Sequence, residues 1–150
     1  QEVCEGEGLA SAKKPFSLNR GPQMFKIDHL DHVALAVKDV ERSIAWYQEV
    51  LGLEHRHQEV WGNVPAMLCA GPTCVALFPT ATDAPNPPPD ENTIAMRHLA
   101  FRVNRANFEK AQAELRHRSI DFEFQDHEIS HSIYFADPDG HRLELTTYDL

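Results

Sequence analysis

One internal repeat constrains this chain more than any other feature. Asp31-His-Val-Ala-Leu-Ala-Val37 returns as Arg97-His-Leu-Ala-Phe-Arg-Val103, with the histidine and its following alanine at matching places. Such alternation reads as a strand with one packed face. A helical pattern follows each copy: Val40, Ile44, Tyr47 and Leu51 share one stripe, and Phe108, Ala111 and Leu115 share another. Asp39 offers an N-cap to the first helix and Gly52 a stop. Three shorter strand-like stretches come next in each half. In the first they are 53–60, which alternates weakly as an edge strand does, then 66–69 and 73–78 around a Gly71-Pro72 hairpin turn. In the second they are 120–124, 130–136 and 142–147, the last two joined by a tight turn at Asp137-Pro-Asp-Gly140. Strand, helix and three strands, written twice, predict an α+β fold of two βαβββ modules whose strands curve into a half-open cup.

Residues 1–23 carry neither period, and Met24 stands just before the first patterned segment. The expected organisation is a flexible extension over 1–23 and a single domain over 24–150. Within that domain, module one covers about 28–78, a linker 79–93, and module two about 94–150. The linker's proline-rich run cannot sustain a helix or a central strand. A net charge of −9 leaves no electrostatic footprint for nucleic acid or anionic lipid. There is no apolar run long enough to span a bilayer and no apolar stretch of a secretory signal near the start. Three cysteines do not make a disulfide scaffold, so the expected compartment is the cytoplasm. Across the Gly71-Pro72 turn Cys69 would face Cys74. A disulfide there is geometrically conceivable, and reduced packing cysteines are the reading for a cytosolic chain.

Side chains alternate between the faces of a strand. Val33, Leu35 and Val37 would pack under the helix, leaving His32, Ala34 and Ala36 on the other face. In the repeat, His98, Ala100 and Arg102 oppose the packing residues Leu99, Phe101 and Val103. In the last strand Leu143 and Leu145 pack, so Glu144 and Thr146 face away with the histidines. A mid-strand carboxylate between leucines carries a desolvation cost unless it is paired or ligated. His32, His98 and Glu144 converging on a concave face would make the two-histidine, one-carboxylate triad that binds Fe(II), Mn(II) or a similar ion. Any one of them alone reads as an ordinary strand residue; the matched repeat positions favour the joint reading. In the first repeat the counterpart of Glu144 falls near Ala76, which cannot bind a metal. The expected site therefore has three protein ligands.

The stretches 32–53 and 97–147 resemble the vicinal oxygen chelate superfamily, which includes glyoxalase I, bleomycin-resistance proteins, fosfomycin-inactivating thiol transferases and extradiol ring-cleaving dioxygenases. The sharpest motif is Ser132-Ile-Tyr-Phe-Ala-Asp-Pro-Asp-Gly-His-Arg-Leu-Glu-Leu145. The resemblance implies paired βαβββ modules, one divalent ion, frequent homodimers, and His32, His98 and Glu144 at the three usual ligand positions.

Among the superfamily's activities, glyoxalase I usually needs a fourth ligand where Ala76 stands. Bleomycin-resistance proteins have no metal site, whereas all three ligand positions are filled here. Fosfomycin-inactivating transferases share the three-ligand pattern, with a Thr where this chain has Ala34 and a cationic tail beyond the last strand. Ring-cleaving dioxygenases place a His, an apolar residue, Tyr, Pro, Gly and the ligand Glu at spacings matched by His127, Ile133, Tyr134, Pro138, Gly140 and Glu144. Gln125 departs from that signature, and no His lies between His57 and His98 for the usual proton shuttle. Tyr134 could hydrogen-bond a metal-bound oxygen or serve as amphipathic packing, and His127, or else His131, could move protons or simply lie on an exposed loop. Arg102 could bind an anionic group or pair with a nearby carboxylate. His55 and His57 could line the cup mouth.

The sequence thus predicts a metal-dependent enzyme that chelates vicinal oxygens of a small-molecule substrate, in its leading version extradiol dioxygenase-like. A glyoxalase-like isomerase, a fosfomycin-type thiol transferase and a non-catalytic drug-binding protein are the alternatives. Fe(II) or Mn(II) is favoured, with Zn(II) or Ni(II) as further candidates; the partners are a substrate and a second copy of the chain, with no nucleic acid and no membrane.

Overall fold

The computed structural model describes residues 25–150; the extension expected over 1–23 lies outside them. Module one runs β1 (His32–Val37), α1 (Val40–Leu51), β2 (Glu54–Arg56), a short α2 (Gln58–Trp61), β3 (Ala66–Ala70) and β4 (Thr73–Pro79). Module two runs β5 (Leu99–Arg102), α3 (Arg105–His117), β6 (Glu123–Asp126), β7 (His131–Ala136) and β8 (Arg142–Thr147). Each forms a four-stranded mixed sheet, ordered β1-β4-β3-β2 in one and β5-β8-β7-β6 in the other. The first strand of each module pairs in parallel with the last, β1 on β4 and β5 on β8, because a helix carries the chain across each time. The fold is α+β, and the sheets stay open as a cup requires.

Local chemistry accounts for the helix ends. The Asp39 side chain accepts from the Arg42 backbone N–H at the start of α1, and Asn104 does the same for Asn107 at the start of α3. Gly52 closes α1 in the left-handed region, with φ 66° and its N–H returned to the Gln48 carbonyl. Two expected strands differ. The stretch 53–60 yields only three strand residues before the chain turns at His57, whose φ is 59°, into α2. The strand expected over 120–124 lies at Glu123–Asp126, since Ile120 and Phe122 pack against the core as the chain leaves α3.

A single core cluster holds Leu35, Val37, Ile44 and Tyr47 of module one together with Phe108, Ile133, Leu143 and Leu145 of module two. Across the join, Trp46 packs on Phe135 with ring centroids 6.3 Å apart. The buried Tyr47 hydroxyl donates to Asp137 at 2.8 Å, and His141 Nδ1 lies 2.8 Å from the same carboxylate oxygen. Arg42 donates to the Pro138 carbonyl at 3.0 Å. The Asp-Pro-Asp-Gly turn of the second module is therefore also the dock for the first helix.

Candidate metal centre

Strand register decides which side chains share a face. In module two Ala100 pairs with Glu144, Glu144 with Tyr134 and Tyr134 with Glu123, a row across the sheet face that opposes the core. His98, just before β5, meets that row. Its Nε2 stands 2.9 Å from Glu144 Oε2. Glu144 is 7% exposed, so this carboxylate lies in mid-sheet with an imidazole as its close partner. Two donors about 2.1 Å from one ion and at right angles to each other are separated by about 3.0 Å, so the pair already has the spacing of neighbouring ligands.

Tyr134 stands beside them. Its ring meets His98 edge-on with centroids 5.6 Å apart, and its hydroxyl shares a hydrogen bond with His127 Nε2 at 3.2 Å. Partial burial and then the Glu144 charge raise the Tyr134 pKa, so the phenol keeps its proton near neutral pH and remains a donor. Arg142 lies over the same ring, its guanidinium carbon 4.7 Å from the centroid, with only a 3.8 Å contact to Glu123. A cavity of about 530 Å³ opens here between this end of the sheet and the linker. Its lining includes His98, Tyr134, Arg142, Gln125 and Met96, with Pro88 contributed by the linker.

His32 does not join this group within one chain. Among the described residues no three His, Cys, Asp or Glu side chains stand close enough to hold a single ion. His32 lies on β1, in the other sheet, with Nδ1 2.7 Å from Asp31 Oδ2. That bond engages Nδ1 as carboxylates engage metal-ligating histidines, which leaves Nε2 as the nitrogen a metal would use. Ala34 pairs with Ala76 as Ala100 pairs with Glu144, so Ala76 occupies the place equivalent to the carboxylate, as the repeat implied.

The remaining candidates sit elsewhere. Arg102 is on the Glu144 face, but its guanidinium stacks over Tyr148 at 4.7 Å. His131 is on the opposite face, 3.0 Å from an Arg105 nitrogen, which removes it from the pocket. His55 pairs with Leu68 and so shares the packed face, not the cup mouth; its Nε2 is buried without a partner among the described residues. Cys69 and Cys74 form a disulfide with Cα atoms 4.2 Å apart, in place of the reduced pair expected for a cytosolic chain. The hairpin puts them directly opposite each other, and that local pairing prevails over the compartment argument. Sequence reasoning passed over Asp31 and took Arg142 only as a possible ion-pair partner of Glu144, whereas its contact is with Glu123. Both were legible: one is a carboxylate adjoining a candidate ligand, and the other alternates onto the Glu144 face.

The family description Glyoxalase/Bleomycin resistance protein/Dioxygenase superfamily matches residues 29–145. The chain belongs to this superfamily. It is 33% identical over 119 residues to a glutathione transferase, FosA, from Serratia marcescens, a match that covers 79% of this chain and 80% of that protein. It is 30% identical over 125 residues to a metallothiol transferase, FosB, from Staphylococcus epidermidis, covering 81% and 83% respectively. Among solved structures, a glyoxalase/dioxygenase from Nostoc punctiforme superposes with a TM-score of 0.73 at 22% identity, over 88% of this chain and 99% of that one. These curated relatives carry transferase names, whereas the leading expectation was a ring-cleaving dioxygenase; they favour the thiol-transferase alternative.

Proposed function

We propose that the chain is a metal-dependent thiol transferase that conjugates a small-molecule thiol to an electrophilic substrate chelated through neighbouring oxygens. The observation that carries this reading is the His98–Glu144 pair at 2.9 Å, with His98 lining a cavity, in a chain similar to two named thiol-using transferases. His98 and Glu144 hold one divalent ion of the Mn(II) or Fe(II) type, and His32 of a second copy supplies the third donor. Two features support a second copy. β1 and β5, the strands that carry or adjoin the histidines, are sheet edges with no neighbouring strand on their outer side among the described residues. Phe25, Ile27, Leu30, Ile94 and Met96 beside them are largely exposed, as apolar residues of a homodimer interface are in a lone chain.

A bound ion supplies Lewis acidity to the substrate oxygens it chelates. The chain's own groups do the rest. The Tyr134 phenol donates to a substrate oxygen on which negative charge builds, and His127 behind it orients that hydroxyl. Arg142 faces the same space with a weakly engaged guanidinium suited to an anionic substrate group. Linker residues Pro88 and Pro89 line the same cavity.

Complementation tests the composite site. His32→Ala and Glu144→Gln each abolish metal-dependent activity in their own homodimers. Refolding the two together in equal amounts gives half heterodimers, each with one intact site, and so restores roughly a quarter of wild-type activity. No recovery alongside demonstrated mixing refutes the shared site. A ring-cleaving dioxygenase is the second reading, favoured by the His127–Tyr134 hydrogen bond beside the ligand pair. Dependence on a thiol and indifference to O₂ decides for the transferase; the converse decides for the dioxygenase.

A further inference from the structure

The face of the first sheet that carries His32 also carries both cysteines. His32 pairs with Cys74 on the neighbouring parallel strand, Cys74 pairs with Cys69, and Cys69 pairs with Glu54. Directly paired residues share a face, so an imidazole, the two bonded sulfurs and a carboxylate form one row across the four strands. Cys69 and Ala76 are almost wholly buried and cluster with Met67 and Cys74, so the sulfurs lie in an apolar setting. His32 at the end of the row is held at Nδ1 by Asp31.

We propose that the reduced Cys69–Cys74 pair, together with His32, is a redox-controlled site for a thiophilic ion such as Zn(II). Two thiolates and one imidazole are the protein ligands of an open zinc site, with the fourth position left to water or to Glu54 in the same row. The geometry fits. Sulfurs bound tetrahedrally at about 2.3 Å from an ion lie about 3.8 Å apart, a span that facing cysteines at a Cα separation of 4.2 Å reach by rotating about χ1. In the disulfide form each sulfur is spent on the other, and no three donors converge among the described residues.

The chemistry balances in two steps. A dithiol reductant passes two electrons and two protons to the S–S bond, giving two cysteine thiols and one oxidised reductant. The divalent ion then displaces two protons as the thiolates bind. The proposal goes beyond the transferase reading. Where both hold, an ion kept by the cysteines withdraws His32 from the shared metal centre, so occupancy inhibits.

Cobalt(II) is the probe, in full-length protein with Cys4→Ser as the reference so that only Cys69 and Cys74 carry thiols. Reduced with a dithiol, freed of reductant under nitrogen and titrated with Co(II), the protein gains the sulfur-to-cobalt charge-transfer band at one equivalent, and Zn(II) abolishes it. The same preparation left oxidised shows no such band. Cys74→Ser removes the band, while His32→Ala keeps thiolate character but weakens binding by 10-fold or more. Glu144→Gln leaves the band intact, which separates failure of this site from failure of the other. Two titratable thiols in the folded, reduced reference without a charge-transfer band overturn the proposal, as does a band unaffected by Cys74→Ser.

Discussion

Glu144 illustrates how one residue carries a commitment of the whole fold. A carboxylate that is 7% exposed, in a strand between two packed leucines, needs a close polar partner, and His98 at 2.9 Å is the one provided. Glu144→Gln therefore keeps the fold but loses bound divalent metal, which metal analysis of protein purified without chelator will register as a fall from one equivalent per chain to a small fraction of it. Tyr134→Phe removes one donor and its link to His127 while sparing the ring packed on His98. A loss of about 10²-fold in kcat with metal content unchanged is expected, and steady-state kinetics checks it. Tyr47→Phe acts on stability instead. It strips one hydrogen bond from the buried Asp137, and urea unfolding should show a cost of about 1–3 kcal/mol.

The elements show how local signals and tertiary docking divide the work. α1 starts at an Asp39 cap and stops at Gly52, both evident from residue type. Nothing lies within 4 Å of where a Cβ on Gly52 would be, so Gly52→Ala costs only the left-handed backbone penalty, about 1–2 kcal/mol. The far side of α1 is governed by the Asp137–His141 pair. The hydrogen bond to Asp137, opposed by burial, raises the His141 pKa, with the nearby charges of Asp137 and Asp139 adding to it. Burial alone would raise Asp137, but the hydrogen bond and charge of His141 and the Tyr47 hydroxyl outweigh it and lower its pKa. The raised histidine contributes stability that is complete below its unfolded value of 6.5 and fades as pH climbs through the higher folded value. The lowered carboxylate contributes stability that is complete above its unfolded value of 3.8 and fades as pH drops through the lower folded value. The urea midpoint should thus peak between those limits, and His141→Gln should flatten its decline on the alkaline side.

At the scale of the molecule, the two modules share a core on their helix-bearing faces, which leaves the faces that carry the proposed ligands on two separate sheets. One chain places two of the proposed ligands, His98 and Glu144, with one sheet and the third, His32, on the other. The expected assembly is a homodimer that aligns the open edges of β1 and β5, and light scattering on the eluting protein measures its mass directly. Phe25→Asp with Ile27→Asp should shift that mass to a single chain and take metal affinity with it, since each site then lacks His32. Among the described residues no helix is long and apolar enough to cross a membrane.

The repeat was legible because strand alternation and helical stripes are local and occur twice. From them the sequence determined the two βαβββ modules, the packed and open faces, the pairing of His98 with Glu144, and the vacancy at Ala76. Period alone could not place His55, because the short β2 turns at His57 and its weak alternation leaves the face undecided. Nor could it determine whether His32 reaches Glu144, since that depends on which faces of two separate sheets share the core. Only tertiary packing decides this: burying Tyr47, Trp46 and Phe135 against one another fixes the angle between the modules, and no run of neighbouring residues encodes that angle.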